Sequence, residues 1–232
     1  MTTLQDYAKQ IGIELSAEVF LSFNHYMKIL LEWNEKINLT SITEEHDVIL
    51  KHFADSLSLL PYIPTSAKTL IDIGSGAGFP GLAVAIARPN LQVTLVESIG
   101  KKAVFLEQCA KDLRLKNVFV VEARAEELGQ DKKFREKFDI ATGRAVAFLP
   151  VLAEYTIPLL KIGGLFLAQK NDDKIELEQA ERSSAILGGK IQSVHHVPLP
   201  FETPRVIIVI EKINITPKEF PRPIGTPKQE PL

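Results

Sequence analysis

The sequence predicts an α/β protein: a seven-stranded, mostly parallel sheet with one antiparallel strand, preceded by a helical extension. Three observations carry that prediction. From Thr69 onward, short apolar runs alternate with longer helical patterns, as in strands joined by crossover helices. After Thr69-Leu-Ile-Asp-Ile73, four glycines (Gly74, Gly76, Gly78 and Gly81) fall within eight residues, before an apolar run to Ala87. That reads as strand, tight turn, helix. The last two strand candidates are separated only by Pro198-Leu-Pro-Phe-Glu-Thr-Pro204. This is too short for a helical crossover, so they must be antiparallel neighbours.

Taken in order, residues 1–64 form the helical extension. Ser16 is placed to cap a helix whose apolar positions Val19, Phe20, Phe23, Met27, Leu30 and Leu31 follow 3–4 spacing. Asn34 to Thr43 reads as a connector, with Thr43 before the acidic turn Glu44-Glu45. A second helix then runs to about Leu60, with Val48, Ile49, His52, Phe53, Leu57 and Leu60 on one face, until Pro61 and Pro64 stop it. Residues 65–212 form the sheet domain. Its strand candidates are 69–73, 92–97, 117–121, 138–142, 164–169, 191–197 and 205–212. Helical candidates are 79–87, 100–113, 148–160 and 172–188, with a single turn at 124–128. Residues 213–232 are rich in Pro and Lys and read from composition either as a disordered tail or as a segment held by Phe220 and Ile224. In the second case Lys218, Arg222 and Lys228 point at an anion.

Composition narrows the classes. The 232 residues are 45% hydrophobic and 24% charged, an ordinary globular balance. No apolar run approaches the roughly 20 residues of a membrane span. The start lacks the basic-then-apolar pattern of a signal peptide, so a cytoplasmic location is expected. The single cysteine, Cys109, excludes an intrachain disulfide and a multi-Cys zinc site, and no His pattern suggests a metal. Cys109 falls in a helical pattern, where a buried inert thiol is expected. Net charge is −2, unevenly spread: residues 1–60 hold four Lys/Arg against nine Asp/Glu. Contact with a nucleic acid would therefore need a local basic patch.

The glycine turn admits two ligands. Gly76-x-Gly78-x-x-Gly81 matches a dinucleotide fingerprint, with Glu97 at a plausible ribose-binding distance. Asp72-x-Gly74-x-Gly76-x-Gly78 aligns better with the strand end. It resembles the first motif of S-adenosylmethionine (SAM)-dependent methyltransferases, in which the acid ending the second strand, here Glu97, holds the ribose. Six parallel strands closed by an antiparallel hairpin strand is the Rossmann-like pattern of the class I enzymes of that group. Ligands in doubly wound folds sit beyond the carboxyl ends of the strands. That selects the glycine turn, Glu97-Ser98, Glu122 to Glu127, and Thr142-Gly-Arg-Ala145. Arg144 there suits a phosphate, a base or the cofactor carboxylate, against the plainer alternative of an ion pair with a nearby acid. Gln169-Lys170 is a further candidate. The Asn/Asp-Pro-Pro-Tyr box of exocyclic amine methylation is missing. Cys109 is wrongly placed for attack on a pyrimidine ring. A ring nitrogen with its own lone pair, such as guanine N7, needs neither device.

The chain resembles the RsmG (GidB) family of bacterial ribosomal RNA methyltransferases. The likeness runs from Leu31-Glu-Trp-Asn-Glu-Lys-Ile-Asn-Leu-Thr40 through Leu50-Lys-His-Phe-Ala-Asp-Ser-Leu57, Asp72 to Gly81, Arg124-Ala-Glu126 and Gly143-Arg-Ala145 to Phe220-Pro-Arg-Pro-Ile-Gly-Thr-Pro-Lys228. The resemblance implies methyl transfer from SAM to N7 of a guanine in 16S ribosomal RNA. It implies the rRNA or the small ribosomal subunit as partner; a monomer without metal or membrane is expected. It carries cofactor contacts onto Gly74, Phe79, Ala125, Glu126 and Arg144, beside Gly76 and Gly78 of the turn. The Glu97 role comes from the wider methyltransferase pattern. Arg144 is expected to position the reactants, with Lys170 as a second basic group. Trp33 is expected to pack in the core, and Lys51 and His52 to buttress the glycine turn. The rival classes are an NAD-dependent oxidoreductase on the same turn and a SAM- or RNA-binding module without turnover.

Overall fold

The computed structural model describes residues 3–232. Helix α1 (Leu4–Gln10) is capped reciprocally by Thr3 and Asp6. Helix α2 (Ala17–Asn34) begins at Ser16, whose hydroxyl accepts from the Val19 N–H. The next helical stretch is not one regular helix. It consists of α3 (Glu45–Val48), a π-helical turn over Ile49–Ala54, and α4 (Asp55–Leu57). Thr43 does not cap it; Glu44 stands at the N-cap without a side-chain bond. These helices bury Phe23, Tyr26, Leu30, Phe53 and Leu57 against the sheet domain.

The sheet domain then alternates: β1 (Thr69–Ile73), α5 (Gly81–Ala87), β2 (Gln92–Glu97), α6 (Gly100–Asp112), β3 (Val118–Glu122) and α7 (Ala125–Gln130). After them come β4 (Phe138–Gly143), α8 (Leu149–Thr156), β5 (Leu160–Asn171), α9 (Lys174–Ile186), β6 (Gly189–His196) and β7 (Arg205–Lys212). The sheet order is β3-β2-β1-β4-β5-β7-β6. Strand β7 runs antiparallel to both neighbours, and the other pairings are parallel. The order reverses direction between β1 and β4. That is the switch point beside which doubly wound folds bind ligands. Two apolar layers cover the faces, one formed with the N-terminal helices, α5 and α6, the other with α7, α8 and α9. Cys109 is fully buried in the first layer, and burial pushes its thiol pKa up.

The C-terminal segment is not a free tail. It crosses the α7–α8 side and ends in the short helix α10 (Thr226–Gln229). The Arg135 guanidinium donates to the carbonyls of Thr216, Pro217 and Phe220. Pro221 is buried against Gly129, where any Cβ would collide with the proline ring. Arg222 is not aimed outward at an anion. It forks onto the fully buried carboxylate of Glu154 at 2.7–3.2 Å. Ile224 does not hold the segment in place, because its side chain is exposed.

Candidate active site

The glycine turn hangs on β2: the Gly74 and Ser75 N–H groups both donate to the Val96 carbonyl, at 2.9 and 3.0 Å. Gly74, Gly76 and Gly78 all have positive φ, a region closed to most side chains. At Gly74 space is also decisive, since a Cβ would stand 2.6 Å from Val146. Asp72 is fully buried behind the turn and accepts the Gly81 N–H at 2.9 Å. Its Oδ1 has no partner among the described residues. Burial raises its pKa to about 7 against the opposing Gly81 hydrogen bond.

Glu97 ends β2 and grips the turn. One carboxylate oxygen accepts the Gly76 N–H at 2.9 Å, and the other accepts the Ile99 N–H at 2.8 Å. Beside it, a cavity of about 150 Å³ is lined by Gly74, Val96, Ser98, Ala125, Glu126 and Val146, among others. Glu126, at the start of α7, accepts the Gly225 N–H of the C-terminal segment at 3.2 Å. Tyr155 faces this corner. Burial, reinforced by the Glu126 charge, raises its pKa to about 12. The predicted residues Gly74, Glu97, Ala125 and Glu126 therefore converge at the ends of β1, β2 and β3.

Arg144 and Phe79 belong to a second cluster next to it. Arg144 follows β4 and turns toward the π-helical stretch. Its Nη1 donates to the Lys51 carbonyl at 2.8 Å and to Asp55 Oδ2 at 2.7 Å. Its Nη2 donates to His52 Nδ1 at 3.0 Å. A permanently charged guanidinium can only donate, so the Arg144 contact makes Nδ1 an acceptor and puts the proton on Nε2, facing Thr40 Oγ1 at 2.8 Å, while Nδ1 also lies 3.1 Å from the Lys51 carbonyl. Burial, then the Arg144 charge, lowers the His52 pKa to about 3. The Phe79 ring is buried and turned into this cluster, stacked on His52 at 4.5 Å with the Arg144 guanidinium 5.3 Å from its centroid. Phe79 thus supports the cluster with its ring rather than lining the cavity.

Of the readings open for Arg144, the structure shows the ion pair with a nearby acid. Its primary anion is Asp55, an internal carboxylate only 1% exposed. The Arg144 Nε makes no hydrogen bond among the described residues. Lys170 is likewise engaged. It pairs with Glu176 and donates to the Ala147 carbonyl at 3.1 Å, pinning the far end of the loop that carries Arg144. Trp33 packs edge-on to Phe105 at 5.6 Å. Sequence reasoning missed Asp55 as the partner of Arg144, Tyr26 as a donor to the Ala77 carbonyl inside the glycine turn, and Val146 as a cavity wall. The Lys-His-x-x-Asp spacing of residues 51–55 was the available signal, but it yields this cluster only through a π turn.

A mixed sheet of this order, with a glycine turn after β1 and acids after β2 and β3, defines a class I SAM-dependent methyltransferase domain. Solved structures share the fold. M. jannaschii TYW2 in complex with AdoMet aligns with TM-score 0.56 at 16% identity, over 75% of this chain and 80% of that one. The antibiotic-resistance methyltransferase Kmr aligns with TM-score 0.52 at 18% identity, over 68% and 93%. The family model for rRNA small subunit methyltransferase G matches residues 21–203. Ribosomal RNA small subunit methyltransferase G of Acetivibrio thermocellus is 45% identical over 97% of this chain and 93% of its own length. That of Lactobacillus johnsonii is 45% identical over 97% and 98%. The chain belongs to the rRNA small subunit methyltransferase G family.

Proposed function

We propose that this chain transfers a methyl group from SAM to N7 of a guanine in 16S ribosomal RNA. It would act as a cytoplasmic monomer on the rRNA or the small subunit that carries it. The observation that supports this reading most is the cavity lined by Gly74, Ser98 and Glu126, with Glu97 gripping the turn beside it, in a chain of this family. The donor set suits SAM: the orphaned Asp72 Oδ1 behind the turn is an acceptor for an ammonium. Glu97 keeps lone pairs for ribose hydroxyls, and Glu126 offers an acceptor to an adenine amino group. SAM, when bound, supplies a methyl group made electrophilic by its sulfonium.

The chain's own part is to bind, orient and exclude water. Guanine N7 carries no proton, so no general base is required, and alignment becomes the main demand. The histidine of the site fits that picture: both His52 nitrogens are engaged, and its low pKa leaves no proton to exchange near neutrality. A cation beside a ring gaining positive charge would oppose reaction. Arg144 therefore acts on an anion, with the donors that Asp55, Lys51 and His52 leave to it. A guanidinium suits a carboxylate or phosphate.

The test is incubation with methyl-labelled SAM and either free 16S rRNA or small subunits, followed by mapping of the modified nucleotide. Methylation of a guanine at N7 is expected. Label on an exocyclic amine or ring carbon would overturn the N7 assignment. NAD binding without SAM binding in calorimetry would overturn the methyltransferase reading.

A further inference from the structure

The family match ends at residue 203, yet the C-terminal segment beyond it reaches the cavity. Lys228 lines that cavity together with Gly74, Ser98, Ala125 and Glu126. Three residues earlier, the Gly225 N–H donates to the carboxylate of Glu126. The segment is held in this place by partly buried links to the domain. The Arg222 fork on Glu154 and the Arg135 bonds to three of its carbonyls are the strongest. Gln130 adds bonds to the Lys218 and Pro221 carbonyls.

We infer that residues 225–228 form the outer lip of the cofactor pocket, and that Lys228 is a cofactor-binding residue there. The inference rests on the SAM reading above. Its chemistry follows from the edge of the base. Adenine presents an amino donor beside a ring-nitrogen acceptor. The lip presents the complement, an acceptor in Glu126 and a donor in the Lys228 ammonium. The cavity walls supplied by Ile73, Val96, Ala123 and Val146 are apolar, as a flat ring requires. Because Glu126 holds the segment through Gly225, binding at Glu126 and docking of the lip are linked, and each strengthens the other by the same factor.

S-adenosylhomocysteine is the probe, since it carries the same adenosine and reports binding without turnover. Calorimetry on the intact chain, Lys228→Ala and a chain shortened to residue 225 should give affinities at least fivefold weaker for both variants. Hydrogen exchange on the intact chain should show slower exchange of the Gly225 amide when the probe is added. Equal affinity in folded variants, or unchanged exchange at Gly225, would overturn the lip. If the shortened chain does not fold, Lys228→Ala and the exchange measurement decide. Absence of binding to the intact chain would instead count against the SAM reading itself.

Discussion

Arg144 donates from Nη1 to Oδ2 of Asp55 at 2.7 Å, joining the loop after β4 to the helical extension. The carboxylate is 1% exposed and its Oδ1 has no partner among the described residues. Removing one partner of such a pair leaves an uncompensated buried charge. Arg144→Ala should therefore cost about 3–5 kcal/mol of stability as well as activity. Asp55→Asn should lower activity in the parent and change it little in an Arg144→Ala background, if Asp55 acts through Arg144. Denaturant titration and turnover of the four proteins test this. Additive losses in turnover would separate the two residues.

Glu97 has two duties. Glu97→Ala should weaken SAM binding at least tenfold, through loss of charge-assisted hydrogen bonds of ~1.5–3 kcal/mol each. It also frees the Gly76 and Ile99 N–H groups, so the melting temperature should fall. Unchanged affinity in calorimetry would remove the acid from the ribose site.

Gly74→Ala and Gly76→Ala should differ although both have positive φ. At Gly74 the new methyl collides with Val146, a cavity wall, at 2.6 Å; at Gly76 the nearest atom is 3.8 Å away. Gly76→Ala should cost only the left-handed backbone strain, about 1–2 kcal/mol. Gly74→Ala should cost more and displace Val146 into the cofactor cavity. Equal cofactor affinities in the two variants would contradict this.

Two buried groups give opposite pH slopes. His52 titrates near 6.5 when unfolded and near 3 when folded, so between these values the unfolded chain binds more protons. Stability from this group rises with pH across that window. Asp72 titrates near 3.8 unfolded and about 7 folded. The folded chain then binds more protons, and stability from this group falls as pH rises from 3.8 to 7. His52→Gln should remove the first slope, and Asp72→Asn the second. Melting curves from pH 4 to 7.5 measure both, and unchanged profiles would refute the assignment.

Arg222→Ala should destabilise the fold by about 3–5 kcal/mol, because Glu154 is left buried and unpaired. Arg222→Ala with Glu154→Leu should recover much of the loss. Thermal unfolding of the single and double variants checks it.

The sheet was legible in the sequence because its signals are local. Thr69–Ile73 and Val93–Val96 are apolar runs, glycines mark the turn, and the short link from Pro198 to Pro204 forces antiparallel pairing. The same locality placed Glu97 at a strand end, since acids at strand ends fall on one edge of a parallel sheet, whereas Ala125 and Glu126 were singled out by the family resemblance. Trp33 packed against the core and the buried Cys109 thiol were legible from local signals too: each sits in an apolar helical pattern.

What the sequence by itself determined was the order of strands and helices, the glycine turn and the acid that ends β2. Only the tertiary structure decided the partners of the charged groups. Arg144 meets Asp55, Lys170 meets Glu176, and Arg222 meets Glu154. Two of these pairs join residues far apart in the chain. The π turn at Ile49–Ala54 brings the Lys51 carbonyl, His52 and Asp55 to one guanidinium, and its extra residue per turn leaves no mark in a periodicity of apolar residues. Composition left the C-terminal segment open between a disordered tail and an anchored one, because it is rich in Pro and Lys. It is ordered by carbonyls and a buried acid that only the folded domain presents. A charge in a sequence has no direction. Burial leaves each cation one acceptable anion, and the fold determines which one.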